Sequence, residues 1–229
     1  MEGHLTGYFE PELDAAPAPS ADFPVPIHAM PPGGTDAPRA RADAALAGHE
    51  IAWLRDAVDR FTLQVQGSGR LRLPGGAVVR VGYAGTNGHP YRSVGRQLVA
   101  SGALAPGLTA ERLAAWLRSD PARGRAAMDG NPSYVMFRII DAPEGQGPPG
   151  KLCPVAAGRT VAVDPAYVPL GTPVWVEGPG WARLCIAQDT GAAIVGPGRI
   201  DLFCGTGAAA GREAGRLDHP CRVTPLVPR

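Results

Sequence analysis

The 229-residue chain has no apolar run approaching the roughly 18 residues that a membrane-crossing helix needs, so no span is read from it. It has no excess of either charge. Its 22 Lys and Arg stand against 21 Asp and Glu, a net +1, which removes the electrostatic reason to expect nucleic acid or an anionic membrane surface. It has no Cys-x-x-Cys spacing: Cys153, Cys185, Cys204 and Cys221 lie scattered through the last third, and no metal site is expected. Those four cysteines allow three pairings in an oxidising compartment, and buried free thiols are the alternative. Met1–His4 shows neither a basic n-region nor an apolar h-region, so no signal peptide is expected. Internal repeats are absent and periodic helices are few.

What is present describes a folded domain rich in turns. Hydrophobic residues make up 45% and charged residues 19%, the balance of a globular core rather than a disordered chain. The 31 glycines and 25 prolines favour short strands and tight turns over a helix bundle. The length suits one large domain or two small ones.

Residues 5–11 read as a short strand ending at Pro11, and 12–40, rich in Pro, Ala and Gly, as an extended connection. Ile51, Leu54 and Val58 predict a helix over 40–59. Alternation of Phe61, Leu63 and Val65 with polar residues predicts a strand over 61–66, broken at Gly67-Ser68-Gly69. A hairpin follows, 70–73 and 77–83 about the Pro74-Gly75-Gly76 turn. Helices are expected over 91–102, over 109–118 with Thr109 as its N-cap, and over 121–129; a strand is expected over 133–140. From Cys153 onward short β segments are expected at 160–163, 173–177, 183–188, 199–203 and 222–226. Trp53, Trp116 and Trp175 sit in apolar patterns that suit a core, and His89 and His219 read as surface residues.

Chemistry concentrates in Ala187-Gln188-Asp189-Thr190-Gly191 and Gly198-Arg199-Ile200-Asp201-Leu202-Phe203. Two carboxylates twelve positions apart stand beside strand-like apolar residues, with glycines between them. Burying a carboxylate is costly, and one held in a partly dry cleft is what proton donation to a glycosidic oxygen requires. The other reading makes both acids turn aspartates that cap glycine-rich loops. Ser68 and Ser93 lack the setting of a nucleophile elbow, which disfavours a serine hydrolase.

Several motifs in series carry a resemblance. Thr6-Gly7-Tyr8-Phe9-Glu10-Pro11, Val65-Gln66-Gly67-Ser68-Gly69, Tyr83-Ala84-Gly85-Thr86-Asn87-Gly88 and Tyr91-Arg92-Ser93-Val94-Gly95 come first. Asn131-Pro132-Ser133-Tyr134-Val135, Phe137-Arg138, Ala162-Val163-Asp164, Pro169-Leu170-Gly171, the two acidic segments and Ala214-Gly215 follow. Together these resemble the membrane-bound lytic murein transglycosylase A (MltA) family with its C-terminal 3D module, over nearly the whole chain and in order. The three aspartates of that module match Asp164, Asp189 and Asp201.

The resemblance implies a mainly β protein. One part would be a six-stranded double-psi β-barrel from residues 1–10 and 142–229, the catalytic domain. The other would be an inserted, smaller β-rich substrate-binding domain with a few helices, 11–141, with a groove between the two. It implies cleavage of the β-1,4 bond between N-acetylmuramic acid and N-acetylglucosamine without water, leaving 1,6-anhydromuramoyl ends. Asp201 would be the single catalytic acid and base. Asp189 and Thr6 would line the site, and Gln66, Gly67, Ser68, Tyr83 and Asn87 would contact substrate. No cofactor and no metal are implied. The partner would be the peptidoglycan glycan strand, with wall-synthesis or wall-degradation proteins as possible companions of a monomer. Family members sit in the periplasm at the outer membrane behind a signal and lipid anchor that this chain does not show. Two departures stand out: Gly191-Ala192 replaces the family's Gly-Gly, and Cys204 replaces a Trp. The rival classes are a non-catalytic peptidoglycan-binding module and a hydrolytic muramidase, the latter with Glu10 as its second carboxylate.

Overall fold

The computed structural model describes residues 1–226 apart from Ala142 and Glu144. Ala142, Glu144 and residues 227–229, which the expected barrel boundaries include, lie outside the described residues. In chain order the elements begin with β1 (Glu2–Glu10), β2 (Glu12–Ala16), β3 (Val25–His28), α1 (Arg39–Ala45), β4 (Glu50–Leu54) and α2 (Ala57–Gln66). Next come β5 (Ser68–Arg72), β6 (Val78–Thr86), α3 (Val94–Ala100), α4 (Ala110–Ser119), α5 (Pro121–Asp129) and β7 (Val135–Ile140). The chain closes with β8 (Thr160–Val163), β9 (Pro173–Gly178), β10 (Trp181–Asp189), β11 (Arg199–Thr206), α6 (Gly207–Ala214) and β12 (Asp218–Pro225). Two compact units result, Met1–Glu10 with Ala142–Arg229, and Pro11–Asp141.

The first unit is a closed six-stranded double-psi barrel in the order β1-β11-β8-β10-β9-β12. β1 with β11 and β10 with β8 run parallel, and the other neighbours antiparallel. Closure leaves no edge strand to aggregate. Its interior is filled by Leu5, Val161, Val163, Val174, Val176, Ala187, Ile200, Leu202 and Val223, every one buried. The alternation of strand side chains turns their neighbours, Thr6, Ala162 and Asp201, to the opposite face. Helix α6, which residue patterning did not reveal, packs its small residues on β1. A Cβ at Gly7 would lie 2.7 Å from the Ala214 Cα and 3.1 Å from the Cys204 Sγ. Gly7→Ala is therefore expected to cost about 1–3 kcal/mol by overpacking, read as a lower urea midpoint. An unchanged midpoint would show that α6 shifts away freely.

The second unit is a six-stranded sheet, order β3-β4-β2-β5-β6-β7, with α2 packed on it. A bridge between Ala29 and Phe137 ties the β3 side to β7. The expected extended connection instead supplies β2 and β3; Pro26 is accommodated because β3 pairs on the sheet only with β4. The helix expected over 40–59 is broken into α1 and the start of α2, because Gly48, at φ +87°, turns the chain into β4 between them.

The strand expected over 61–66 lies within helix α2. Asp56 caps it by accepting from Val58 and Asp59 N–H at 2.9 and 2.8 Å, and Gly67 stops it in the left-handed conformation at φ +78°. The alternation misleads because α2 is buried on two sides. Val58 and Phe61 pack on α3, α4 and α5, while Leu63 packs on the sheet. The cap expected at Thr109 is present, accepting from Arg112 N–H at 3.2 Å, and Asp120 caps the start of α5. Trp175, expected in the core, is 39% exposed on β9 opposite Leu184.

Candidate active site

The barrel register builds the site. Thr6 on β1 pairs with Asp201 on β11, Asp201 pairs with Ala162 on β8, and Ala162 pairs with Asp189 at the end of β10. Two acids distant in sequence thus stand in one row across adjacent strands, separated by the smallest chiral side chain. A bulge in β10 between Ala187 and Asp189 shifts the acid into that row.

Thr6 Oγ1 donates to Asp201 Oδ1 at 2.5 Å. Asp201 is largely enclosed by protein and keeps only a minor part of its surface accessible. Its burial pushes the carboxyl up to about 6, with the neighbouring Asp189 charge adding to the rise; the Thr6 hydroxyl and Arg199 pull the other way. Asp189 is held on both oxygens. Its Oδ1 accepts from the backbone N–H groups of Thr190 at 2.9 Å and Lys151 at 3.0 Å, and its Oδ2 from the Tyr8 hydroxyl at 2.9 Å. Burial raises its carboxyl above the ordinary range, while those three donors favour the ionised form and oppose the rise.

The third acid plays a different part. Asp164, just past β8, accepts from Ala166 N–H at 3.0 Å and Gly196 N–H at 2.8 Å, so it pins the loop that joins β10 to β11. These backbone donors hold its carboxyl below the usual range. Gln188, beside Asp189, is fixed by the Thr160 hydroxyl at 2.6 Å and donates to the Cys153 Sγ at 2.9 Å. All four cysteines are free thiols, and burial lifts Cys204 to about 12, which keeps it protonated.

Of the sequence-derived site residues, Thr6, Asp189 and Asp201 come together in the barrel. The other five lie in the second unit. Gln66 ends α2, Gly67 is its cap, and Ser68 opens β5 and is buried. Tyr83 on β6 is 52% exposed. Asn87 makes its hydrogen bonds inside the unit. Its amide donates to Ala37 O at 2.8 Å and Pro132 O at 2.9 Å, and its carbonyl accepts from Tyr134 N–H at 2.9 Å. These three side-chain bonds and its burial make it a staple between loops and β7. Sequence reasoning missed Tyr8 as a site residue. The period of two from Thr6 along β1, which puts both on one strand face, was the available signal.

This fold and site define a class: a double-psi barrel, interrupted by an insert, that holds a protonatable acid beside a fixed carboxylate. Residues 36–138 match the MltA specific insert domain, and residues 159–227 match the 3D domain. The membrane-bound lytic murein transglycosylase A of Vibrio cholerae is 33% identical over 97% of this chain and 64% of its own length. The solved lytic transglycosylase LtgG of Burkholderia pseudomallei is 40% identical, covering 99% of this chain and 73% of that one, with a TM-score of 0.70. The Escherichia coli MltA structure with bound chitohexaose is 29% identical, covering 97% of this chain and 70% of that one, with a TM-score of 0.88. The chain belongs to the membrane-bound lytic murein transglycosylase A family. It spans 64% of the length of the Vibrio cholerae relative.

Proposed function

We propose that this chain carries a lytic transglycosylase site for peptidoglycan, cleaving the β-1,4 bond between N-acetylmuramic acid and N-acetylglucosamine with Asp201 as sole acid and base. The observation that carries the reading is Asp201 itself, a largely enclosed carboxyl that burial raises to about 6 and Thr6 orients at 2.5 Å. A carboxyl in that range is protonated often enough near neutral pH to act as an acid, and its conjugate base is strong enough to take a proton back.

In this scheme protonated Asp201 gives its proton to the glycosidic oxygen as the bond from that oxygen to the muramoyl C1 breaks. The positive charge that develops at C1 and the ring oxygen, or on an oxazolinium formed with the acetamido group, faces the Asp189 carboxylate. Ionised Asp201 then takes the proton from the C6 hydroxyl while that oxygen bonds to C1, closing the 1,6-anhydro ring. The nucleophile belongs to the substrate, so the second carboxylate of an ordinary glycosidase is not needed. Glu10, the candidate for that second role, is fully buried, accepts from the Thr206 hydroxyl at 2.8 Å, and pairs on β11 with Thr206. Five residues of strand separate Thr206 from Asp201, roughly 16 Å. This favours the anhydro-forming reading over hydrolysis. The family's membrane-bound members, and the glycan oligomer held by the Escherichia coli relative, support a periplasmic, outer-membrane setting and a glycan strand as substrate. Wall-synthesis or wall-degradation proteins are the companions we propose for it, with the chain itself monomeric.

Mass spectrometry of soluble products from purified peptidoglycan tests this. Anhydromuramoyl ends are expected; reducing ends would replace the scheme with hydrolysis. Thr6→Val is expected to slow cleavage about tenfold. It is also expected to move the alkaline limb of the pH–rate profile upward, because the lost hydroxyl favours ionised Asp201. A limb that stays in place would remove Thr6 from control of the acid.

A further inference from the structure

Tyr8 belongs to the first motif of the chain but has no part in the scheme above. It stands two residues beyond Thr6 on β1, and its register partner on β11 is Phe203, two residues beyond Asp201. Its ring lies 5.2 Å from the Phe203 ring, tilted by 50°. Its hydroxyl reaches Asp189, whose strand β10 is three places from β1 by either route around the barrel. On a flat sheet that separation is roughly 14 Å, so the bond exists only because the barrel closes.

We propose that Tyr8 is a positioning residue of this site, holding Asp189 as an oriented carboxylate that faces the sugar bound at Asp201. The proposal rests on the lytic transglycosylase reading. The backbone donors from Lys151 and Thr190 both occupy Oδ1 of Asp189, so Tyr8 alone among the described residues holds Oδ2 by a hydrogen bond. Without the phenol the carboxylate keeps its anchor but loses its fixed rotation. The phenol acts only as a donor, because burial and the adjacent Asp189 and Asp201 charges raise its pKa and exclude the phenolate. The ionisable groups that bear on the trio are few: Asp189, Asp201 and Cys204 on Tyr8, and Arg199 and Asp189 on Asp201. The fixed negative charge of Asp189 stabilises the developing positive charge of the sugar and, as a like charge, opposes early ionisation of Asp201.

The test is Tyr8→Phe, which keeps the ring against Phe203 and removes one oxygen. The expected result is a kcat about tenfold to a hundredfold lower with KM nearly unchanged. The acid limb of the kcat profile moves upward, because a lost donor to the carboxylate raises the pH at which Asp189 ionises. In an Asp189→Asn background the same change is expected to have no further effect on rate. Carbon-detected NMR titration of the Asp189 carboxyl reads the proposal without turnover, and a higher titration midpoint in Tyr8→Phe than in the wild-type chain supports it. An unmoved Asp189 midpoint, or a rate loss equal at every pH, overturns it. A wild-type chain that releases no anhydromuramoyl ends defeats the functional reading instead, and the NMR midpoint still decides whether Tyr8 holds Asp189.

Discussion

Asp201→Asn is expected to abolish anhydromuramoyl product while making the folded chain more resistant to urea above pH 6. The first effect follows from the amide, which has no proton to give the leaving oxygen and cannot take one from the C6 hydroxyl; a loss of at least about a thousandfold is expected. The second follows from linkage. The folded site raises the Asp201 carboxyl from 3.8 to about 6, so the folded chain holds that proton more tightly than the unfolded one. The resulting stabilisation is complete below the unfolded value and is lost as pH rises through the folded value. At pH 8 the wild-type chain keeps a charge in a poorly solvated place, at a cost of about 3 kcal/mol or less, which asparagine does not incur. Urea midpoints at pH 8 and pH 4 measure it: the variant gains at pH 8, and the gain shrinks at pH 4. A wild-type chain more stable than the variant at pH 8 would mean that Asp201 is well solvated, and the acid role would lose its physical basis.

Arg39→Ala is expected to cost the second unit about 2–4 kcal/mol. Arg39 is 7% exposed, and its guanidinium donates to Asn131 O at 3.1 Å, Gln64 Oε1 at 2.5 Å and Ser133 O at 2.6 Å. It also lies over the rings of Phe61 at 5.1 Å and Tyr134 at 5.5 Å. One planar cation thus joins α1, α2 and the loop before β7. Burial lowers its pKa only to about 10, so it stays charged at neutral pH. Truncation leaves three acceptors without their donor and a void beside two rings. Arg39→Lys is expected to fall between, since an ammonium cannot reproduce three donors fixed in one plane. Denaturant unfolding followed by circular dichroism checks both. A loss under about 1 kcal/mol for the alanine variant would show that water replaces the guanidinium there.

The contrast between these two residues shows how much of the molecule was legible. Asp201 stood out as an acid in an apolar strand segment beside glycine-rich turns, but Ile200 and Leu202 face the barrel interior, so the burial that raises its carboxyl comes from the tertiary structure. Arg39 did not stand out, because an arginine in a polar-looking stretch carries no local mark of burial. Its partners lie 25 to 94 positions away. The α2 segment failed for a related reason: its apolar residues serve two different clusters, and one-dimensional periodicity assumes one. β2 and β3 failed because their Ala and Pro residues lack strand propensity and are held by pairing instead.

By itself the sequence determined the local terms: the barrel strands with alternating side chains, the Thr109 cap and the apolar flanks of Asp201. Only the tertiary structure decided which distant groups meet. Closure of six strands set Thr6, Asp201, Ala162 and Asp189 in one row and brought Tyr8 to Asp189 across 181 positions. Hydrogen bonds and burial depend on distance in space, and a chain specifies that distance only once its strands have chosen partners and register.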